Sequence, residues 1–269
     1  MCGLEKMQLE ICRTTQLLAT VDGWPINIAD LNSAVSQIIQ TAKQSEGFAV
    51  FTLNLDHLDK LRRSATFRNA YTKAKFVTAD GAPVAMLASR QGIRVERTTG
   101  SDLVLPLAAA AAREGISIYL YGTSPDVLAR AAVTLRRHAG LDLIIAGTES
   151  PERGFEPDGV NADAALNRIE ASGAKICLVA LGAPKQELFA AKAVERGTKV
   201  GFVCIGAGLD FLSGAQTRAP RVMQRYGLEW LWRLALSPRR LVSRYFRCAM
   251  LMANLMLPFP RRITVQPSN

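Results

Sequence analysis

The strongest limit on what this chain can fold into is a regular alternation of two kinds of segment. Short apolar runs rich in β-branched and aromatic residues fall at Phe48–Leu53, Lys75–Thr78, Ile116–Tyr121, Leu141–Ala146, Lys175–Leu181 and Lys199–Ile205. Each has the length of a buried strand. Between them lie helical patterns at about Asp56–Tyr71, Asp102–Arg113, Pro125–His138, Asn161–Ala171 and Pro184–Arg196. Strands separated by helices run parallel, and a parallel sheet buries both faces under those helices. The pattern therefore predicts an α/β, Rossmann-like fold: a mainly parallel sheet with helices on both faces. In such sheets ligands bind at the carboxyl ends of the strands.

After Ser213 the composition changes. From Arg221 onward there are nine arginines, no lysine and one acid, Glu229, so this stretch holds +8 of the net charge of +10. The excess charge is local and suits anionic lipid, phosphate or nucleic acid. Arg221, Arg225, Glu229 and Arg233 fall on one i, i+4 ridge of a predicted helix, and a second helix is expected after Pro238 with Arg240, Arg244 and Arg247 on one face. The expected division is a Rossmann-like domain over 1–217 and a small, helical, arginine-rich appendage over 218–269. Cys2, Cys12, Cys177, Cys204 and Cys248 are scattered without a Cys-x-x-Cys pair, which argues against a disulfide framework or zinc knuckle and fits a cytoplasmic chain. Neither a secretory leader nor an apolar stretch of the ~20 residues needed to span a bilayer is visible.

Several chemistries lack their residues. None of the 11 aspartates sits two residues from another, so the Asp-x-Asp pair that holds a divalent ion in many nucleotide-sugar enzymes is missing, and no metal site is expected. His57 and His138 are the only histidines, and both read better as core or solvated groups than as members of a nucleophilic relay. Gly206-Ala-Gly208 resembles the start of a dinucleotide fingerprint, but Phe211 stands at its third position. No cofactor is expected.

What remains sits at predicted strand ends. Thr52-Leu-Asn54-Leu-Asp56 closes the first run, where period-two alternation puts the three polar residues on one side. Thr78-Ala-Asp80-Gly81 closes the second. Gly122-Thr-Ser124-Pro125 closes the third, with Ser124 as a cap and backbone N–H groups that can face a phosphate. Gly182-Ala-Pro-Lys185-Gln186-Glu187 follows the fifth run and opens a helix. Each alone reads as a turn or cap. Their convergence on one sheet edge makes a site.

In this order, Thr-x-Asn-x-Asp at 52–56, Ala-Asp-Gly at 79–81, Gly-Ala-Pro-Lys-Gln-Glu at 182–187, Gly-Ala-Gly with Phe211, and Arg-Ala-Pro at 218–220 followed by Gly-Leu-Glu-Trp-Leu-x-Arg-Leu to Leu234 resemble a bacterial glycosyltransferase of the WecG/TagA/CpsF type. The resemblance spans roughly residues 20–250. It implies inverting, metal-independent transfer of a hexose, N-acetylhexosamine or hexuronate from a UDP-sugar to a polyprenyl-diphosphate-linked saccharide. It also implies an appendage that brings the enzyme to the anionic inner face of the cell membrane, as a peripheral protein. The family's catalytic acid falls on Asp80, and Thr52 and Asn54 match pocket residues. With Gly122, Ser124, Lys185, Gln186 and Glu187 they form the expected substrate-binding set. Arg233, Arg240 and Arg244 are the expected neutralisers of the departing diphosphate, since without a metal some cation must take up that charge. A homo-oligomer is compatible with all of this. The rival reading is a nucleic-acid-binding α/β protein using the basic C-terminal segment and its aromatics, and a catalytically silent scaffold is a third.

Overall fold

The computed structural model describes residues 16–257, apart from the side chains of Arg221, Arg225 and Arg240. Cys2, Cys12, Arg261 and Arg262 lie outside the described residues. The described chain opens with a hairpin, β1 (Ala19–Val21) and β2 (Trp24–Ile26), turned by Asp22 and Gly23, both at positive φ. Asp-Gly is the pair that a two-residue hairpin turn favours. Helix α1 (Leu31–Lys43) follows, started by a capping box between Asp30 and Ser33.

The main sheet is built from β3 (Phe48–Leu53), β4 (Ala74–Ala79), β5 (Ile118–Gly122), β6 (Ile145–Glu149), β7 (Ile176–Ala180) and β8 (Gly201–Cys204), in spatial order β4-β3-β8-β7-β5-β6. Every neighbouring pair is parallel. The connections are α2 (Leu55–Arg63), α3 (Ala65–Tyr71), α4 (Ala82–Ser89), α5 (Gly100–Arg113), α6 (Pro125–Ala139), α7 (Val160–Ala171) and α8 (Lys185–Glu195). The single helix expected over Asp56–Tyr71 is thus two helices, because Ser64 leaves helical geometry and caps the second. The strand expected at Leu141–Ala146 starts later, with Leu141 and Asp142 in a turn.

Alternation along the strands divides the core into two layers. Phe51, Leu53, Val77, Tyr121, Val179 and Phe202 point to one side, under α2, α3, α7 and α8. Phe48, Val50, Phe76, Leu120, Leu178 and Val203 point to the other, under α1, α5 and α6. Full burial of each such side chain contributes about 1.5–3 kcal/mol, so this two-sided packing is what fixes the strand ends in place.

After β8 come α9 (Gly208–Leu212), α10 (Arg221–Arg225), α11 (Glu229–Leu236) and α12 (Pro238–Met256). The single ridge expected through Arg221, Arg225, Glu229 and Arg233 does not form. Gly227, at φ +70°, turns the chain between α10 and α11. Helix α12 docks on α2 through buried Leu241, Cys248 and Leu251, and on the same face Arg244 Nε lies 3.1 Å from Asp56 Oδ1 and Arg247 Nε 3.2 Å from Asp59 Oδ2. Among the described residues no helix is long and apolar enough to cross a membrane.

Candidate active site

The carboxyl ends of β3 and β4 lie side by side, with Thr52 opposite Thr78 and Leu53 opposite Ala79. One residue further, the Asp80 N–H donates to Leu53 O at 2.8 Å, so the ladder holds the aspartate at the strand end. Gly81, at φ +93°, then redirects the chain into α4. Asn54 is the cap of α2: its Oδ1 accepts from the His57 N–H at 2.9 Å, which fixes the amide so that Nδ2 donates to Asp80 Oδ2 at 3.1 Å. Because the strand ends at Leu53, Asp56 does not share a side with Thr52 and Asn54. It sits in the first turn of α2, paired with Lys60 and Arg244.

Burial is the main influence on Asp80 and pushes its carboxyl up to about 6, against the opposing pull of the Asn54 hydrogen bond and the Arg233 and Arg97 charges. Glu229 adds to the upward push. A carboxyl placed there is ionised at neutral pH yet basic enough to accept a proton, which is what a general base needs.

Five charged residues, Arg97, Asp102, Arg218, Glu229 and Arg233, form the rim of this site. Thr98 N donates to Ala79 O and Thr78 Oγ1 donates to Thr98 O, both at 2.8 Å, which anchors the segment carrying Arg97 beside β4. Arg97 Nη2 is 3.4 Å from Asp102 Oδ2 and its Nη1 3.7 Å from Glu229 Oε1. Arg218 reaches the same two acids, at 2.5 Å and 3.5 Å. The Arg218 and Arg233 guanidinium carbons both lie 5.9 Å from the centre of the Phe211 ring. Gly227 rests against the start of α4, where an added Cβ would come within 2.8 Å of Ala82 Cβ. The C-terminal segment thus lies over the Asp80 end of the sheet. Arg97 and Asp102 were missed in the sequence; the only local signal was Thr99, which caps α5 through the Asp102 N–H.

The other expected residues separate into groups. Arg233 is exposed and stands among the charges that act on Asp80. Arg244 is instead committed to Asp56 in the α2–α12 contact. The Arg240 side chain lies outside the described residues. Ser124 caps α6 by accepting from Val127 N at 3.4 Å. Lys185 Nζ donates to Phe155 O at 2.6 Å and pairs with Glu156, away from Asp80's hydrogen-bonded group. Gln186 and Glu187 are buried. Gly122 sits at φ +122° where an added Cβ would overlap the Ala180 carbonyl. Gly122→Ala should therefore cost at least about 2 kcal/mol of stability. A denaturation midpoint equal to wild type would contradict that reading of the turn.

With this geometry in view, the family model described as glycosyl transferase WecG/TagA/CpsF matches residues 19–262. The chain belongs to the WecG/TagA/CpsF glycosyltransferase family. Membership makes it a glycosyltransferase of cell-envelope polymer synthesis, and the family implies a nucleotide-sugar donor and a lipid-linked acceptor. Among the described residues, no three His, Cys, Asp or Glu side chains come together in a group that could hold a metal ion.

Proposed function

We propose that the chain is an inverting, metal-independent transferase that moves a hexose, N-acetylhexosamine or hexuronate from a UDP-sugar to a polyprenyl-diphosphate-linked saccharide. The observation that carries this reading is Asp80: a carboxyl at a strand end, oriented by Asn54, its basicity raised by burial against the opposing pull of the arginines at its rim. Inversion needs in-line attack from the face opposite the leaving UDP, and one carboxylate suffices to remove the proton of the attacking hydroxyl. As the bond to the diphosphate breaks, negative charge grows on the departing oxygens. Guanidinium groups take up that charge with bidentate geometry. Arg233, whose charge acts on Asp80, is the first candidate for that role from the C-terminal segment; Arg240 and Arg244 follow on α12, where Arg244 would have to leave Asp56 to take part.

Residues 218–269 also supply the means of reaching a lipid-linked acceptor. Val222, Tyr226, Leu228, Trp230, Phe246 and Met250 are exposed on α10–α12 and the turn between, among exposed Arg239 and Arg247. Each basic group near an anionic leaflet contributes about 1 kcal/mol, and aromatic side chains favour the interface. That supports peripheral attachment. Membership of a glycosyltransferase family is what favours the transfer reading over the nucleic-acid one.

The test is UDP release over a panel of UDP-sugars with a short-chain lipid-diphosphate saccharide, run in excess EDTA. One donor is expected to turn over undiminished. Activity that vanishes in EDTA and returns with Mg²⁺ or Mn²⁺ would overturn metal independence, and no release with any UDP-sugar would overturn the transfer reading.

A further inference from the structure

Beneath the Asn54–Asp80 pair lies a second carboxyl that the transfer chemistry does not use. Glu187 is completely buried in the first turn of α8. Its Oε1 accepts from Gln186 Nε2 at 2.6 Å, and Gln186 Oε1 in turn accepts from the Gly206 N–H at 3.0 Å. Its Oε2 has no hydrogen-bond partner. The equally buried His57 stands beside it, with Nε2 3.8 Å from Glu187 Oε1, too far for a hydrogen bond, and Nδ1 2.6 Å from the Tyr71 hydroxyl. His57 is held edge-on by Phe67 and Tyr71, and its backbone N–H is the one that orients Asn54. One continuous set of contacts therefore runs from Asp80 through Asn54 and His57 to Glu187, Gln186 and Gly206, across the ends of β4, β3, β7 and β8.

A bare carboxylate with an unpartnered oxygen is costly in such a place, and so is an imidazolium. A carboxylic acid beside a neutral imidazole avoids both charges with a single proton. We propose that Glu187 is a positioning residue that works as the uncharged acid beside a neutral His57, holding the Asn54–Asp80 pair in register with the Gln186–Gly206 loop.

Burial raises the Glu187 carboxyl to about 7 and lowers the His57 imidazole to about 3, so between those values the acid holds its proton and the imidazole stays neutral. The other groups facing them are Asp56 and Lys60 from α2, Arg244 from α12, Tyr71 from α3 and Cys204 from β8. Asp56 is paired with both Lys60 and Arg244, so these charges partly offset one another.

The pH dependence of folding tests these two protonation states without reference to activity. A raised Glu187 stabilises the fold below 4.5, and that stability is lost as pH rises toward about 7. A lowered His57 acts oppositely: its stability is present above 6.5 and lost as pH falls toward about 3. In the wild type the two slopes offset each other between pH 5 and 6.5. Relative to wild type, Glu187→Gln should therefore gain stability as pH rises through that window, and His57→Gln should lose it. A curve parallel to wild type in the Glu187 variant would overturn the uncharged acid, and one parallel in the His57 variant would overturn the neutral imidazole; either result overturns the proposal.

The kinetic arm rests on the transfer reading above. Glu187→Gln, which keeps an uncharged acceptor of the same shape, should retain kcat within about threefold, whereas Glu187→Ala should lose about 10- to 100-fold in kcat with a smaller change in KM. A Gln variant as impaired as the Ala variant would show that a charge is required. An Ala variant with wild-type kcat would show that the residue supports only the fold. Either result overturns the proposal.

Discussion

Asp80→Asn should reduce turnover by about 10²- to 10⁴-fold, the usual loss when a positioned base is removed, while UDP binding persists. Asparagine keeps the size and can still meet the Asn54 amide, so what disappears is the proton acceptor. In the wild type the rate should rise with pH through about 6, because the base must be ionised and burial holds its carboxyl there. Stability should move the other way. A carboxyl raised in the folded state stabilises below 3.8, and this is lost as pH rises through about 6, so at neutral pH the ionised Asp80 is a cost to the fold. Asp80→Asn is therefore expected to melt at a higher temperature than wild type at pH 7.5. If Asp80 were only a turn residue before Gly81, the variant would melt lower and keep its turnover. The two readings thus predict opposite signs in two measurements.

How much of this was legible in the sequence depends on how local the signal is. The six strands of the main sheet and the polar strand ends follow from apolar runs and the residues that stop them, which is why Asn54, Asp80 and Gly122 were found in place. The β1–β2 hairpin was missed although Asp22-Gly23 is a strong turn signal, because its three-residue strands are too short to show alternation. Helix α1 was missed although its signals were present: Asp30 and Ser33 form a capping box, and Ala34, Ile38, Ile39 and Ala42 share its buried face. The rim was only partly legible. Arg97 and Asp102 have meaning only once Arg218 and Glu229, more than a hundred residues away, have folded onto them. Nor could sequence show that Gln186 and Glu187 turn inward, because helix α8 presents its first turn to the core only when β7 and β8 are adjacent. A motif identified the segment, and the packing decided which of its side chains meet solvent.

Truncation after Ser213 should leave a core that binds UDP weakly and turns over poorly even with a water-soluble acceptor that needs no membrane. The segment from Arg218 does more than extend the surface. Arg218 joins Asp102, Gly227 rests on the start of α4, and the charges of Glu229 and Arg233 reach Asp80. Helix α11 buries no residue of its own, so its position over the site depends on these charged contacts and on α12, which is seated by Leu241, Cys248 and Leu251. This separates two kinds of arginine. Arg233→Ala removes a cation beside the base without touching the α2–α12 contact, and it should lower kcat by about 10- to 100-fold with thermal stability near wild type. Arg244→Ala removes the partner of Asp56, so its first effect should be a looser α12 and lower stability, with activity following in proportion. A similar kcat loss at unchanged stability would instead place Arg244 at the diphosphate. If the truncated core matches the full chain on the soluble acceptor, the segment is an anchor alone, and Arg233, Arg240 and Arg244 have no part in the chemistry.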